Sequence, residues 1–129
     1  MANVVPNAFK GELLSGTHNF ASGGDSFKLA LYTANPYTTS STAYSSGAGN
    51  EVSGSAAGYS TGGSALTSQA VASSTATASV DFANLTFSSA TFTAAFGAIY
   101  NDDKSDKLVV ILDFGLPLLL HCVVLGFLF

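Results

Sequence analysis

The stretch that decides the fold is Thr91-Phe92-Thr93-Ala94-Ala95-Phe96-Gly97-Ala98-Ile99-Tyr100, followed by Asn101-Asp102-Asp103-Lys104-Ser105-Asp106-Lys107 and then Leu108-Val109-Val110-Ile111-Leu112-Asp113-Phe114. Phe92, Ala94, Phe96, Ala98 and Tyr100 recur at every second position, the spacing that lines side chains along one face of a β-strand. Leu108 to Phe114 is a second apolar run rich in β-branched residues, which favour extended backbone. The charged segment between them predicts an antiparallel hairpin with its turn in water.

N-terminal to this hairpin, Val80 and Phe82 share one strand face, and Leu85 and Phe87 share another. Phe27-Lys28-Leu29-Ala30-Leu31-Tyr32-Thr33 alternates in the same way, which predicts a half-buried strand with Phe27, Leu29 and Leu31 inward, ending at Asn35-Pro36. In the N-terminal arm, residues 1–20, Phe9, Leu13 and Leu14 fall at helical spacing and Gly16 supplies a stop, so a short helix is expected. Residues 38–79 are mainly Ser, Thr, Ala and Gly with Glu51 as their one charge. Val52, Tyr59, Leu66 and Val71 punctuate this zone, and Gly58, Gly62 and Gly63 offer turns, so short strands joined by long loops are expected there. Residues 115–129 form an apolar tail whose register the alternation does not define.

These elements predict a mainly β chain: an antiparallel β-sandwich or jelly-roll-like barrel with a short N-terminal helix and long Ser/Thr/Gly-rich loops. With 129 residues, one domain spanning 1–129 is expected.

Composition narrows the function classes. Charged residues make up 9% and apolar ones 47%, a balance that excludes ordinary disorder and leaves little charge on the surface. The net charge is −4 with four lysines and no arginine, so no basic stripe is present to neutralise phosphates and direct nucleic-acid binding is not expected. Cys122 is the only cysteine, which rules out an intrachain disulfide. The start, Met1-Ala2-Asn3-Val4-Val5-Pro6, lacks the basic and apolar regions of a secretory signal, so assembly in the cytoplasm is the expectation.

Chemistry-bearing motifs are sparse. The two histidines, His18 and His121, belong to no G-x-S-x-G, H-E-x-x-H, paired C-x-x-C, Walker or dinucleotide pattern, so no enzyme activity, catalytic residue, metal site or cofactor is assigned. Asp102, Asp103 and Asp106 could offer oxygen ligands, but interleaved lysines and the absence of EF-hand spacing make a solvated hairpin tip the reading. Adjacent His121 and Cys122 point to opposite faces of a strand and read as core or interface filling. Phe9, Tyr37, Tyr44 and Tyr59 are the candidate interaction surface, because aromatic and hydroxyl groups suit contact with another protein or a sugar.

The ordered series Val4-Val5-Pro6-Asn7-Ala8-Phe9-Lys10-Gly11-Glu12-Leu13, Asp25 to Thr33, Thr42-Ala43-Tyr44, Asn50-Glu51-Val52-Ser53-Gly54, Gly58-Tyr59, Gly62-Gly63, Val80-Asp81-Phe82, Ala90 to Ala94, Ile99-Tyr100-Asn101 and Val109 to Gly115 resembles a family of small structural proteins of tailed-bacteriophage virions. The resemblance covers roughly residues 3 to 115. Ala95-Phe96-Gly97-Ala98 departs from it where the family tends to carry an arginine-glycine pair, and the tail departs where a polar turn and a final alternating strand are expected. It implies a virion protein assembled in the host cytoplasm: a capsid decoration or cement protein that binds the major capsid protein or other virion proteins, and that forms a homo-oligomer or symmetry-related copies. A tail, neck or fibre component with a receptor- or glycan-binding surface in residues 38–79 is the alternative. A third expectation, a membrane span over Leu108 to Phe129, is opposed by Asp113, Gly115 and Pro117 within it.

Overall fold

In a computed structural model of the chain, residues 3–46, 49–119 and 126–128 are described, with the backbone alone for 116–119 and 126–128. His121 and Cys122 lie outside the described residues. Among the described residues the elements are one helix, α1 (Asn7–Leu14), and seven strands: β1 (Phe27–Tyr32), β2 (Ser64–Leu66), β3 (Ala70–Ser73), β4 (Ala78–Asp81), β5 (Thr93–Asn101), β6 (Lys107–Leu119) and β7 (Gly126–Leu128). They form two antiparallel sheets, one ordered β2-β1-β5-β6 and the other β3-β4-β7, and neither closes into a barrel. The mainly β reading of the sequence holds.

The hairpin is where the sequence placed it, with Asn101 opposite Lys107 across a polar turn. Its strict alternation does not hold along its whole length. Ala94 pairs with Leu118 and Phe96 with Asp113, so β6 advances five residues (118 to 113) while β5 advances two (94 to 96). The irregularity turns β5 over: Phe92 and Ala94 join the main core, whereas Phe96, Ala98 and Tyr100 pack on the opposite face of the sheet. A second bulge leaves Val109 extra between the pairs Ile99–Val110 and Tyr100–Leu108. Val109 and Val110 consequently enter the main core together, a placement that period-two alternation cannot produce.

β1 is central in its sheet and is covered on both faces, so the half-buried strand expected from the sequence is corrected. Phe27, Leu29 and Leu31 face the main core, with the Phe20 and Phe27 rings stacked at 4.4 Å. Ala30 and Tyr32 face a second, tyrosine-rich cluster. Lys28 remains partly exposed and pairs with Asp102 at 3.1 Å.

The helix ends as predicted. Gly16, at φ +75°, donates to Leu13 O, and Thr17 donates to Glu12 O at 2.9 Å, which satisfies the last carbonyls in a Schellman arrangement. Only Phe9 of the predicted apolar face is buried, while Leu13 is 38% and Leu14 90% exposed. Leu85 and Phe87 also depart from the expectation of a strand. They lie outside the named strands, yet Phe87 is in the main core and Leu85 packs against it. In the polar zone, β2 and β3 are two of the expected short strands, Val52 and Tyr59 are buried between turns, and Val71 is 59% exposed.

Candidate functional site

Two polar networks and one apolar surface are the places where function could reside. The first network gathers around Glu51. After Tyr32 the chain loops away and returns with residues 50–52 antiparallel to the end of β1, where Thr33 donates to Asn50 O at 2.8 Å and Val52 to Leu31 O at 2.9 Å. Adjacent residues of an extended segment point to opposite faces. Val52 therefore enters the main core and Glu51 faces the tyrosines.

The Glu51 carboxylate accepts three hydrogen bonds: from Tyr44 Oη at 3.0 Å, Tyr59 Oη at 2.7 Å and the Gly62 amide at 2.7 Å. The remaining tyrosines complete the cluster. Tyr100 Oη donates to Gly62 O at 2.6 Å and its ring stacks on Tyr44 at 4.4 Å, while the hydroxyls of Tyr32 and Tyr37 lie 2.9 Å apart. All five tyrosines of the chain meet here. Burial, then the neighbouring Glu51 charge, pushes the Tyr44 phenol above its ordinary value, and burial does the same at Tyr59 against the Leu31 amide, which favours the phenolate. These hydroxyls stay protonated and serve as donors, so the cluster works as a clamp on the Ser/Thr/Gly-rich loops.

Three of the four proposed surface residues are corrected by this geometry. Phe9, Tyr37 and Tyr59 are only 1%, 7% and 5% exposed. An aromatic ring removes a large apolar area from water when buried, and each of these packs in a core cluster instead of meeting a partner. Tyr44 alone of the four is partly exposed, and both its hydroxyl and one ring face are occupied within the chain.

The second network runs from α1 to the β5–β6 hairpin. His18, whose side chain is fully buried, lies with Nε2 2.9 Å from Glu12 Oε2 and Nδ1 2.9 Å from the Asn101 amide nitrogen. Asn101 is 0% exposed, donates also to Asp25 Oδ2 at 2.8 Å and accepts from the Asp103 amide at 3.1 Å. Every partner is satisfied when Asn101 donates to Nδ1 and His18 donates from Nε2–H to Glu12. Lys107 closes the far end on Glu12 Oε1 at 2.6 Å, and Lys104 lies 3.7 Å from Asp25. A carboxylate, an imidazole and an amide in a row can relay a proton only if the imidazole reaches a reacting group. Here both ring nitrogens are occupied and the ring is sealed between Phe9 and Phe20, so the network is a fastening between arm and hairpin. A sequence gives no hint of it, since its members lie 83 and 76 positions apart.

The two carboxylates of this network make stability dependent on pH. Burial alone would raise the Glu12 carboxyl, but hydrogen bonds from Lys107 and His18 outweigh it and hold it below the ordinary 4.5; Asp25 is held below 3.8 against burial by Asn101, the Asn19 amide and Lys104. A depressed folded-state value contributes stability that is present above the unfolded value and lost as pH falls toward the folded one. The contribution of these two carboxylates is therefore complete above about pH 5, and the urea midpoint is expected to fall as the pH drops below the ordinary carboxylate values. Lys107→Met should shrink that acid-side loss, and an acid limb unchanged in this variant would refute the assignment.

Two of the three hairpin carboxylates that could offer oxygen ligands are engaged as well: Asp103 accepts from the Ser26 amide at 2.7 Å and Asp102 pairs with Lys28 at 3.1 Å. Among the described residues no group of three His, Cys, Asp or Glu side chains could hold a metal ion, and no helix is long and apolar enough to cross a membrane. Residues 108–119 of the expected span are strand.

The apolar surface is the third feature. Leu13, Phe20, Val71, Ala78, Ser79 and Val80 wall a groove of about 180 Å³ between the end of α1 and the face of the β3–β4 pair. Leu14, next to Leu13 in the last turn of α1, is 90% exposed. The sequence signalled these residues only as core, because Leu13, Leu14 and Val71 carry the same periodicity as residues that are buried. No protein-family model, curated protein or solved structure matches the chain.

Proposed function

We propose that this chain is a non-catalytic structural protein that acts through protein–protein contact, and that its setting is the head of a tailed bacteriophage, which it decorates and stabilises by binding the major capsid protein. The observation that supports contact over chemistry is the contrast between the two kinds of side chain. Glu12, His18, Asp25, Glu51 and the tyrosine hydroxyls are bound to one another inside the fold, whereas Leu13, Leu14 and Val71 are left in water. Exposed apolar residues grouped beside a groove are characteristic of surfaces that meet another protein. The phage setting rests on the ordered sequence resemblance over residues 3 to 115, and a surface with few charges suits a protein that lies flat on a larger assembly.

Quantitative mass spectrometry of purified phage particles that carry the chain tests this reading. It is expected on heads in hundreds of copies, and heads lacking it should burst at lower temperature. Recovery from tails alone, or absence from particles, would overturn the head assignment.

A further inference from the structure

The two sheets differ in how their edges are closed. Along residues 107–113 the β6 edge is covered by the chain itself: Val4 and Ile111 exchange hydrogen bonds at 2.9 and 2.8 Å, Leu108 donates to Thr42 O at 3.0 Å, the Tyr44 amide donates to Asp106 O at 2.7 Å, and the Asp113 amide donates to Asn3 Oδ1 at 2.8 Å. Beyond β2, the free side of β1 is taken by residues 50–52. At the opposite side of the fold, β2 ends one sheet and β3 ends the other, joined by residues 67–69. Among the described residues nothing pairs with the outer backbone of β3.

Edge strands in free monomers are protected by charge, proline or bulges, since alternate N–H and C=O groups point outward and invite another strand. β3 has none of these. It reads Ala70-Val71-Ala72-Ser73, all four residues are exposed, and residues 52–80 carry no charged side chain. The chain as a whole has a net charge of −4, so this is a side on which two copies can meet without like charges opposed.

We propose that β3 is a homodimer interface, where two copies pair their β3 strands antiparallel about a two-fold axis to make one continuous six-stranded sheet. A two-fold axis perpendicular to a sheet keeps each residue on the same face in both copies, so the strands must pair with the axis through a residue. With the axis at Val71, that residue faces its own counterpart as a β-branched cross-strand pair, and Ala70 faces Ala72. Val71 pairs with Val80 within the monomer and lines the groove, so the grooves of the two copies join along one face into a shared apolar floor. That burial supplements the few backbone bonds that four-residue strands can make. The dimer takes up the Val71 side of the groove and leaves exposed Leu13 and Leu14 to the contact proposed above, and because dimerisation is read on the chain alone, its failure would leave the virion reading in place.

Sedimentation equilibrium of the full chain over a concentration series tests it, with circular dichroism as the check on folding. The wild-type chain is expected to dimerise. Val71→Lys sets two ammonium groups opposite each other and should weaken the dimer by about tenfold or more with the fold intact, and Val71→Glu should do the same. Mixing the two variants should restore dimers as Lys–Glu heterodimers. A wild-type chain that stays monomeric at all concentrations would overturn the proposal. So would folded Val71→Lys that dimerises as well as wild type, or a mixture that remains monomeric.

Discussion

Gly63→Ala is expected to destabilise the protein by about 4 kcal/mol, a large part of the roughly 5–15 kcal/mol that holds a domain of this kind folded. Gly63 sits at φ +79° immediately before β2, and a Cβ built there lies 1.7 Å from the Leu29 carbonyl oxygen and 2.8 Å from Ala30 Cα. The left-handed backbone alone costs an L-residue about 1–2 kcal/mol. The collision adds more, because the obstacle is the backbone of the central strand and cannot rotate aside. Relief requires β2 to separate from β1, where Leu29 faces Ser64. Gly23→Ala is the matching control: its φ is +77° and nothing lies within 4 Å of the added carbon, so only the backbone cost of about 1 kcal/mol is expected. Thermal unfolding of the two variants checks the difference. Equal losses would show that β2 yields without cost.

Glu51→Leu is the second large effect, at about 3 kcal/mol. The leucine fills similar space but strands the Tyr59 hydroxyl, the Gly62 amide and the Tyr44 hydroxyl, each of which donates to the carboxylate. A buried donor left without an acceptor costs about 1–3 kcal/mol, and partly exposed Tyr44 can turn to water. Tyr59→Phe identifies the mechanism. It should be destabilising in the wild-type background and less so beside Glu51→Leu, where the donor it removes is already unsatisfied and only the acceptor of the Leu31 amide is lost. Additive losses in that cycle would mean that the two residues act separately.

Both predictions concern residues in the Ser/Thr/Gly-rich zone, the part of the chain whose sequence was least informative about structure. Gly63 was legible as a turn, but the need for glycine comes from the approach of β1, thirty-four positions earlier by the difference 63 − 29. Glu51 was legible as the one charge in residues 38–79, and its role depends on the hydroxyls that the fold brings to it. The tyrosines proposed as surface show the same limit. Aromatic residues with hydroxyls suit both an interface and a buried hydrogen-bonded cluster, and composition alone does not separate the two.

The order of residues alone sets the mainly β character of the chain, the place where its main hairpin turns, the end of its helix, and the side of β1 that carries Phe27, Leu29 and Leu31. Those properties follow from local chemistry: period-two alternation, β-branched content, a charged turn and a glycine with positive φ. Only the tertiary structure decided that β5 turns over between Ala94 and Phe96, that His18 and Asn101 fasten the arm to the hairpin, and that Leu13, Leu14 and Val71 stay in water while Phe9, Tyr37 and Tyr59 do not. The physical reason is that a bulge, a long-range hydrogen bond and an uncovered edge are each relations between distant segments. A residue's own type and spacing limit what it can do, but its neighbours in space determine which of those options it takes.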